Sequence, residues 1–281
     1  MPLRDVLLQI QTYPQATPPE AIEQAVAFAA GRGARLSALA IETAIPLPKN
    51  RLADRVAGLA EVARQEEARS AEIAKASLEH FASAARAAGV LGEVRYERAD
   101  LHEVASRVAR EARLHDLCLI PIGAREDGQR AVAEAVVFGS GQPTLLFRPG
   151  VADLKREFAL ALVAWDGGRP AARALTDALP LLARAEEVRV LTVLNEKPDA
   201  VAGLAAEAVR RLRAHSIEAV PVEVDAKRRA IGRVLDDYAA AEGADLLVMG
   251  AFGRSRLREF ILGGATEHVL HDPKVPLLLS H

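Results

Sequence analysis

The chain repeats one order of strands and helices, and this repetition restricts the folds that it can adopt. In the first half, apolar runs such as Val6–Ile10 predict buried strands, and helical stretches separate them. Pro149-Gly150 interrupts the pattern, which begins again with a predicted strand at Phe158–Ala164. Each half is predicted to contain about five strands and four helices, and such alternation is typical of a parallel sheet with helices on both faces.

Two pairs of matching segments align the halves. Asp116-Leu-Cys-Leu matches Asp245-Leu-Leu-Val, and the apolar segment that begins at Pro143 matches the one that begins at Pro276. The sequence therefore predicts an α/β fold with two tandem doubly wound parallel five-stranded sheets, each flanked by helices. The predicted domains are residues 1–150 and 151–281.

Composition excludes several classes of protein. Of the 281 residues, half are hydrophobic and 26% are charged, which excludes global disorder. Lys and Arg number 36 against 38 Asp and Glu, and this balance disfavours a nucleic-acid-binding protein. The single cysteine, Cys118, indicates a reducing compartment. No apolar run reaches the roughly 18 residues of a membrane span, and the start does not resemble a signal peptide, so we expect a cytoplasmic protein. The excess of arginine and alanine favours a bacterial source.

A glycine-rich loop at residues 250–264 is the most informative segment. Gly250 and Gly253 are followed by nine residues and then by Gly263, between a predicted strand and a predicted helix. Glycines let the backbone approach a ligand closely, and a helix N-terminus presents unpaired N–H groups. The segment therefore predicts a phosphate site, with Arg254 as a candidate phosphate contact. The alternative interpretation is a flexible loop with a solvated arginine face.

The pattern Gly250-x2-Gly253-x9-Gly263, ahead of the apolar strand at 275–279, resembles the nucleotide motif of the universal stress protein family. The segment Trp165-Asp166-Gly-Gly resembles the end of the family's first strand and its acidic turn. The order of elements fits throughout, so the resemblance covers essentially the whole chain as a tandem pair. It implies a Rossmann-like fold that binds an adenine nucleotide, with strand order 3-2-1-4-5 and association of two domains through their last strands.

The resemblance also implies a site in residues 151–281. Asp166 would lie near the adenosine end of the ligand, and the backbone of Val193 would meet the adenine edge. The glycines of the loop would approach the ribose and hold the phosphates. Family members that bind ATP usually carry Ser or Thr directly after the third glycine, where this chain has Gly264. The expected nucleotide-binding residues are Asp166, Val193, Gly250, Gly253, Gly263, Gly264 and Thr266.

The first half departs from this motif. Its opening turn, Thr12–Gln15, lacks the Asp-Gly pair, and Pro121 and Ala124 stand where the first two motif glycines would be. We therefore expect residues 1–150 to lack the family's nucleotide site. This half would serve as a structural partner for the other, or as a surface for another protein or a small ligand.

Other conspicuous residues have structural interpretations. Trp165 is expected to pack at a strand end, and Cys118 is expected to be a buried thiol. His268 and His271 lie three apart on a predicted helix and are expected to be a surface pair rather than a metal site. The long helical stretch Leu52–Ala88 predicts a solvated face with intrahelical ion pairs, or an extended edge used for dimerisation.

No sequence motif for catalysis is present. The chain contains no P-loop, no G-x-S-x-G elbow and no H-E-x-x-H pair. Asp166 and Asp245 are the acidic residues expected to flank the nucleotide, and no residue is assigned as nucleophile, general base or metal ligand.

Two functional hypotheses follow. The first is a stress-response regulator that binds ATP or AMP, with or without Mg²⁺, in its C-terminal half and hydrolyses ATP slowly at most. Its halves would form a pseudo-dimer, and two chains could in addition associate as a homodimer. Neither nucleic acid nor a membrane would be a partner. The alternative is a scaffold or interaction protein on the same fold that binds no nucleotide.

Overall fold

A computed structural model of the chain describes residues 2–46, 57–123, 128–151, 153–195, 202–251 and 264–281. The strands are β1 (Asp5–Ile10), β2 (Arg35–Ala44), β3 (Leu91–Asp100), β4 (Leu117–Pro121), β5 (Thr144–Phe147), β6 (Leu160–Ala164), β7 (Glu187–Leu194), β8 (Val220–Asp225), β9 (Leu246–Gly250) and β10 (Leu277–Ser280). The helices are α1 (Pro19–Arg32), α2 (Ala57–Ala87), α3 (Val104–Ala112), α4 (Gln129–Gly139), α5 (Arg169–Leu182), α6 (Leu204–Ala214), α7 (Ile231–Glu242) and α8 (Gly264–His271), and a short 3-10 helix, Leu101–Glu103, precedes α3.

These strands form one sheet in the order β3-β2-β1-β4-β5-β10-β9-β6-β7-β8. Within each half all strand pairs are parallel, and the order is 3-2-1-4-5. The predicted α/β class and the two doubly wound five-stranded sheets are therefore confirmed. The boundary between domains at residue 150 stays a prediction.

Helices cover both faces of the sheet. One buried apolar cluster joins the sheet to α1, α2, α5 and α6, and a second joins it to α3, α4, α7 and α8. Strand β1 illustrates this arrangement: five of its six residues are buried, as expected for a central strand with helices on both faces of the sheet. Cys118 of β4 is fully buried, and burial raises the pKa of its thiol.

The two halves meet through their last strands. β10 pairs with β5 in antiparallel register, with Leu277 opposite Leu146 and Leu278 opposite Leu145. These four side chains are at most 1% exposed, so the joint is also part of the apolar core. The pairing leaves β3 and β8 as the two outer edges of the sheet.

The segment between the halves is held by a buried arginine of α1. The Arg32 side chain is 2% exposed, and its guanidinium lies over the Phe28 ring at 3.9 Å. It donates to the backbone oxygens of Leu154 and Arg156, both at 3.3 Å, and lies 3.7 Å from the Glu157 carboxylate. Burial lowers the pKa of Arg32 to about 10, although the nearby Glu157 carboxylate opposes the shift. This contact fixes the linker against the first half.

In the described part of the chain, no helix is both long and apolar enough to cross a lipid bilayer.

Replacing Arg32 with alanine is expected to lower the free energy of unfolding by about 3 kcal/mol, because linker carbonyls lose charged donors inside the protein. Urea denaturation followed by circular dichroism measures the change. Arg64→Ala is the matched control, because the Arg64 side chain is 71% exposed and, among the described residues, pairs with Glu61 of its own helix alone. A loss of about 0.5 kcal/mol or less is expected there, and equal losses for the two variants would contradict the role of Arg32.

Candidate functional site

The candidate site lies beyond the carboxyl ends of β6 and β9. β6 is the first strand of the second half and lies between β7 and β9. Chain connections leave β6 and β9 on opposite faces of the sheet, so a crevice opens where the strand order reverses. Crevices at this point are the usual ligand sites of open parallel α/β sheets.

The turn after β6 places Asp166 at this crevice. The Asp166 Oδ1 atom accepts a hydrogen bond of 2.9 Å from the Gly168 amide, and Gly167 has a left-handed φ of 72°. Helix α5 begins directly afterwards, at Arg169. Trp165 is half-buried and packs against the apolar cluster below α5, at the end of the strand as predicted. Its indole N–H is buried without a hydrogen-bond partner among the described residues.

The peptide group of Val193 faces the same crevice. The last β6–β7 pair is Ala164↔Leu191, and the Trp165 amide then donates to the Leu191 oxygen at 2.9 Å. Because peptide groups alternate sides along a strand, the Val193 oxygen points toward β6 but lies beyond its end. No group in the described part of the chain donates a hydrogen bond to this oxygen. The structure thus leaves a backbone acceptor at the position expected to meet the adenine edge.

Gly250 ends β9 under the first turn of α5. A Cβ atom at Gly250 would lie 2.3 Å from the Pro170 carbonyl carbon and 2.4 Å from the Ala171 nitrogen. Only glycine fits at this position without displacing the helix. Sequence reasoning assigned Gly250 to ligand contact alone and missed this packing requirement.

Gly264 is the first residue of α8. A Cβ atom at Gly264 would meet no atom of the described residues within 4 Å. Thr266, in the same first turn, is 3% exposed. The structure thus places Gly264 and Thr266 at the start of one helix, where unpaired amides favour an anion.

Three of the expected site residues, Gly253, Arg254 and Gly263, lie outside the described residues. Their roles stay predictions.

A groove of about 640 Å³ runs along α8 from Gly264 to Lys274. Arg130 of α4 contributes to it from the first half and lies 3.6 Å from Glu267. His268 and His271 are both exposed, as expected, and the Nε2 atom of His268 lies 2.8 Å from Asp236 Oδ2. Burial raises the pKa of Asp236, and the hydrogen bond to His268 opposes that shift. Among the described residues, no three His, Cys, Asp or Glu side chains are grouped to hold a metal ion.

The expectation that Asp245 flanks the nucleotide is wrong. Its carboxylate accepts hydrogen bonds from the amides of Ala159 at 2.8 Å and Leu160 at 2.9 Å, at the amino end of β6. This is the opposite edge of the sheet from the crevice. Asp116 binds the amides of Arg4 and Asp5 in the same way in the first half. The matching Asp116 and Asp245 segments therefore mark a shared structural contact.

The corresponding crevice of the first half is closed by the chain's own hydroxyl groups. Equivalent strand registers, Asp5↔Arg35 and Leu160↔Glu187, make Ile41 the counterpart of Val193. The Ile41 oxygen accepts a hydrogen bond of 2.5 Å from the Thr12 hydroxyl. Ser70 of α2 contacts Thr12 Oγ1 at 2.8 Å and accepts from the Thr43 amide at 2.9 Å.

A buried glutamine fills the other side of this first-half crevice. Gln129, the first residue of α4, is 1% exposed. Its Nε2 atom donates to Gln9 Oε1 at 2.6 Å and to the Pro121 oxygen at 3.1 Å. Pro121 is the counterpart of Gly250, so the Gln129 side chain lies beside the end of the strand that corresponds to β9. No sequence pattern predicts these contacts, because Thr12, Ser70 and Gln129 lie far apart along the chain.

Ser70→Ala is expected to reduce the free energy of unfolding by about 1–3 kcal/mol, because the buried Thr43 amide loses its acceptor. Chemical denaturation measures the loss. Ser83→Ala, at an exposed position of the same helix, is the matched control and is expected to be nearly neutral. A neutral Ser70→Ala would show that the hydroxyl network contributes nothing to the closed crevice.

Comparisons with known proteins agree with this architecture. Residues 160–281 match the model of the universal stress protein family. A curated universal stress protein from Synechocystis sp. is 38% identical over 85 residues, which are 30% of this chain and 28% of that protein. The match therefore spans little more than a quarter of the relative's length.

Solved structures extend the similarity in fold to the whole chain. A universal stress protein from Archaeoglobus fulgidus aligns with a TM-score of 0.70 and 19% identity, covering 98% of this chain and 97% of that one. A protein from Pseudomonas aeruginosa UCBPP-PA14, provisionally classed as a universal stress protein, aligns with a TM-score of 0.53 and 15% identity, covering 99% and 93%. At these identities the alignments establish the tandem fold. The chain therefore shares the tandem fold of these universal stress protein structures, and residues 160–281 are the part that matches the family model.

Proposed function

We propose that the protein is a stress-response regulator that binds one adenine nucleotide, ATP or AMP, in the crevice of residues 151–281. Asp166 and the Val193 backbone would receive the adenosine, and the start of α8 would receive the phosphates. A Mg²⁺ ion would accompany ATP as a partner of its phosphates. The first half would not bind nucleotide in this way and would act as the paired half of a pseudo-dimer.

The difference between the two crevices supports this proposal most strongly. In the first half, Thr12 donates to the Ile41 oxygen, so the strand edge is already satisfied. In the second half, the equivalent Val193 oxygen has no donor among the described residues. Gly167 stands where the first half has Thr12, so no hydroxyl from this turn can reach the strand. An adenine amino group is a donor of suitable chemistry for the vacant acceptor.

Regulation would follow from differential binding. A nucleotide that contacts both the β6 turn and the start of α8 stabilises any state that holds these elements at the right separation. The surface around α8 would then differ between bound and free protein, including the groove that Arg130 of the first half enters. The described residues contain no nucleophile paired with a base at the crevice, so any ATP hydrolysis would be slow.

Titration of the purified chain with ATP, AMP and GTP, with and without Mg²⁺, tests the proposal. We expect saturation at one adenine nucleotide per chain, a change in Trp165 fluorescence and a rise in melting temperature, with no response to GTP. Asp166→Asn keeps an oxygen for the Gly168 amide but removes the charge, and is expected to weaken binding about tenfold, or 1.4 kcal/mol.

Asp153→Asn is the control, because Asp153 Oδ1 accepts from the Lys155 amide in the same local geometry but lies in the linker. Its binding should equal that of the unmodified chain. Binding of two nucleotides per chain would contradict the proposal that the first-half crevice does not bind nucleotide. No response to any nucleotide, with no nucleotide released from the denatured protein, would favour the scaffold alternative.

Gly264→Ser is expected to tighten ATP binding about two- to tenfold relative to AMP, because it adds a hydroxyl at the helix start, where a Cβ atom would meet no atom of the described residues within 4 Å. Gly264→Ala is the matched control, since it adds the Cβ without the hydroxyl. Calorimetric titration of both variants measures the two affinities. An equal gain in both variants would assign the effect to helix propensity, and no gain in either would place the phosphates away from this position.

A further inference from the structure

The sheet has two outer edges, and their sequences differ in how well they suit hydrogen bonding to a further strand. β5 and β10 are used in the joint between the halves, so β3 and β8 are the outer strands. In the described part of the chain, no strand pairs with their outer sides. Unpaired edges present rows of N–H and C=O groups that can bind another chain.

The β8 edge is poorly suited to pairing. It has six residues, and Pro221 within it lacks an N–H donor. The charged residues of β8, Glu223 and Asp225, are both acidic, so two β8 strands placed side by side would bring charges of the same sign together. Short strands, proline and charge are the usual means by which an edge avoids pairing.

The β3 edge has the opposite properties. It has ten residues and no proline. Of the eight large apolar side chains exposed in the described residues, three lie on β3 or directly after it: Val94 (44%), Tyr96 (42%) and Leu101 (46%). The Tyr96 hydroxyl donates to Glu42 of β2, which holds the ring against the sheet at this edge. The β3 edge is therefore long, able to donate along its length and partly apolar.

The charges on β3 are self-complementary in the antiparallel register that pairs the whole strand. In an antiparallel pair of two β3 strands centred on Tyr96, Arg95 of each copy lies opposite Glu97 of the other. Leu91 then lies opposite Leu101. A register centred on Arg95 or Glu97 instead puts like charges directly opposite. A register centred on Val94 puts Arg95 opposite Glu93 but pairs only residues 91–97 of the strand, so charge and paired length together favour the Tyr96 register.

This register repeats the geometry by which the two halves are already joined. β5 and β10 are antiparallel and centred on the equivalent residues Leu145 and Leu278. In both cases the central residue faces its own counterpart, so each face of the sheet continues into the same face of the neighbour. Two copies of this chain can therefore extend the sheet at β3 as the halves extend it at β5.

We infer that β3 is a homodimer interface, in which it pairs antiparallel with β3 of a second copy about Tyr96. The Arg95 side chain is already ordered at the edge, because its guanidinium donates to Glu111 of α3 at 2.8 Å and to Glu97 at 3.4 Å. Its side chain nevertheless stays 37% exposed at the edge. This inference does not depend on nucleotide binding.

Sedimentation equilibrium of the full chain at about 100 µM tests the interface, with charge variants as partners. Glu97→Arg and Arg95→Glu each place like charges opposite and are expected to raise the dissociation constant at least tenfold. An equimolar mixture of the two variants restores opposite charges at both positions, so it is expected to recover dimers. Val220→Glu, at the β8 edge, is the control and should leave the dimer unchanged.

Circular dichroism confirms that each variant is folded. If Arg95→Glu does not fold because Glu111 loses its partner, Tyr96→Lys serves as the second variant and is expected to dissociate the dimer. A wild-type mass of one chain at 100 µM would overturn the inference. A dimer that survives Glu97→Arg, or that Val220→Glu dissociates, would also overturn it.

Discussion

The antiparallel pairing of β5 with β10 determines the arrangement of the rest of the molecule. It joins two parallel five-stranded sheets through buried leucines, so that two apolar clusters run continuously across both halves. Because the pairing is antiparallel, the carboxyl ends of the strands point in opposite directions in the two halves. The crevice beyond β6 and its counterpart beyond β1 therefore open at opposite edges of the sheet. One ligand therefore cannot span both crevices.

The linker adds a second constraint on the same joint. Arg32 brings a charged guanidinium into a site that is almost wholly buried, which is costly unless hydrogen-bond acceptors and aromatic rings surround it. Backbone oxygens of the linker and the rings of Phe28 and Phe158 provide those contacts. Arg184 of the second half donates to both Glu157 and the Gly31 oxygen, so these polar contacts around the linker connect both halves. The relative position of the halves thus rests on polar contacts as well as on the strand pair.

The fold was predictable from the sequence because its signals are local. Apolar runs of strand length, separated by helical stretches, specify parallel strands without knowledge of any distant contact. The site was predictable only in part, for the same reason. Asp166 follows β6 and Gly264 begins α8, where the local sequence predicts them, and their contact with a nucleotide stays a prediction. Asp245 was expected to flank the nucleotide, but it precedes β9 and its carboxylate accepts from the Ala159 and Leu160 amides at the other edge of the sheet.

Contacts between distant segments could not be predicted. The Thr12–Ser70–Thr43 network joins a turn, a helix and a strand, and no spacing in the sequence relates them. Its physical effect is nevertheless simple, since buried backbone groups need partners and a crevice without a ligand must find them within the chain or in water. The first half meets this need with its own hydroxyl and amide side chains. In the second half, a glycine replaces Thr12, and the described chain supplies no donor to the Val193 oxygen. Among the described residues, the two crevices of this one fold therefore differ in whether a side chain donates to this strand oxygen.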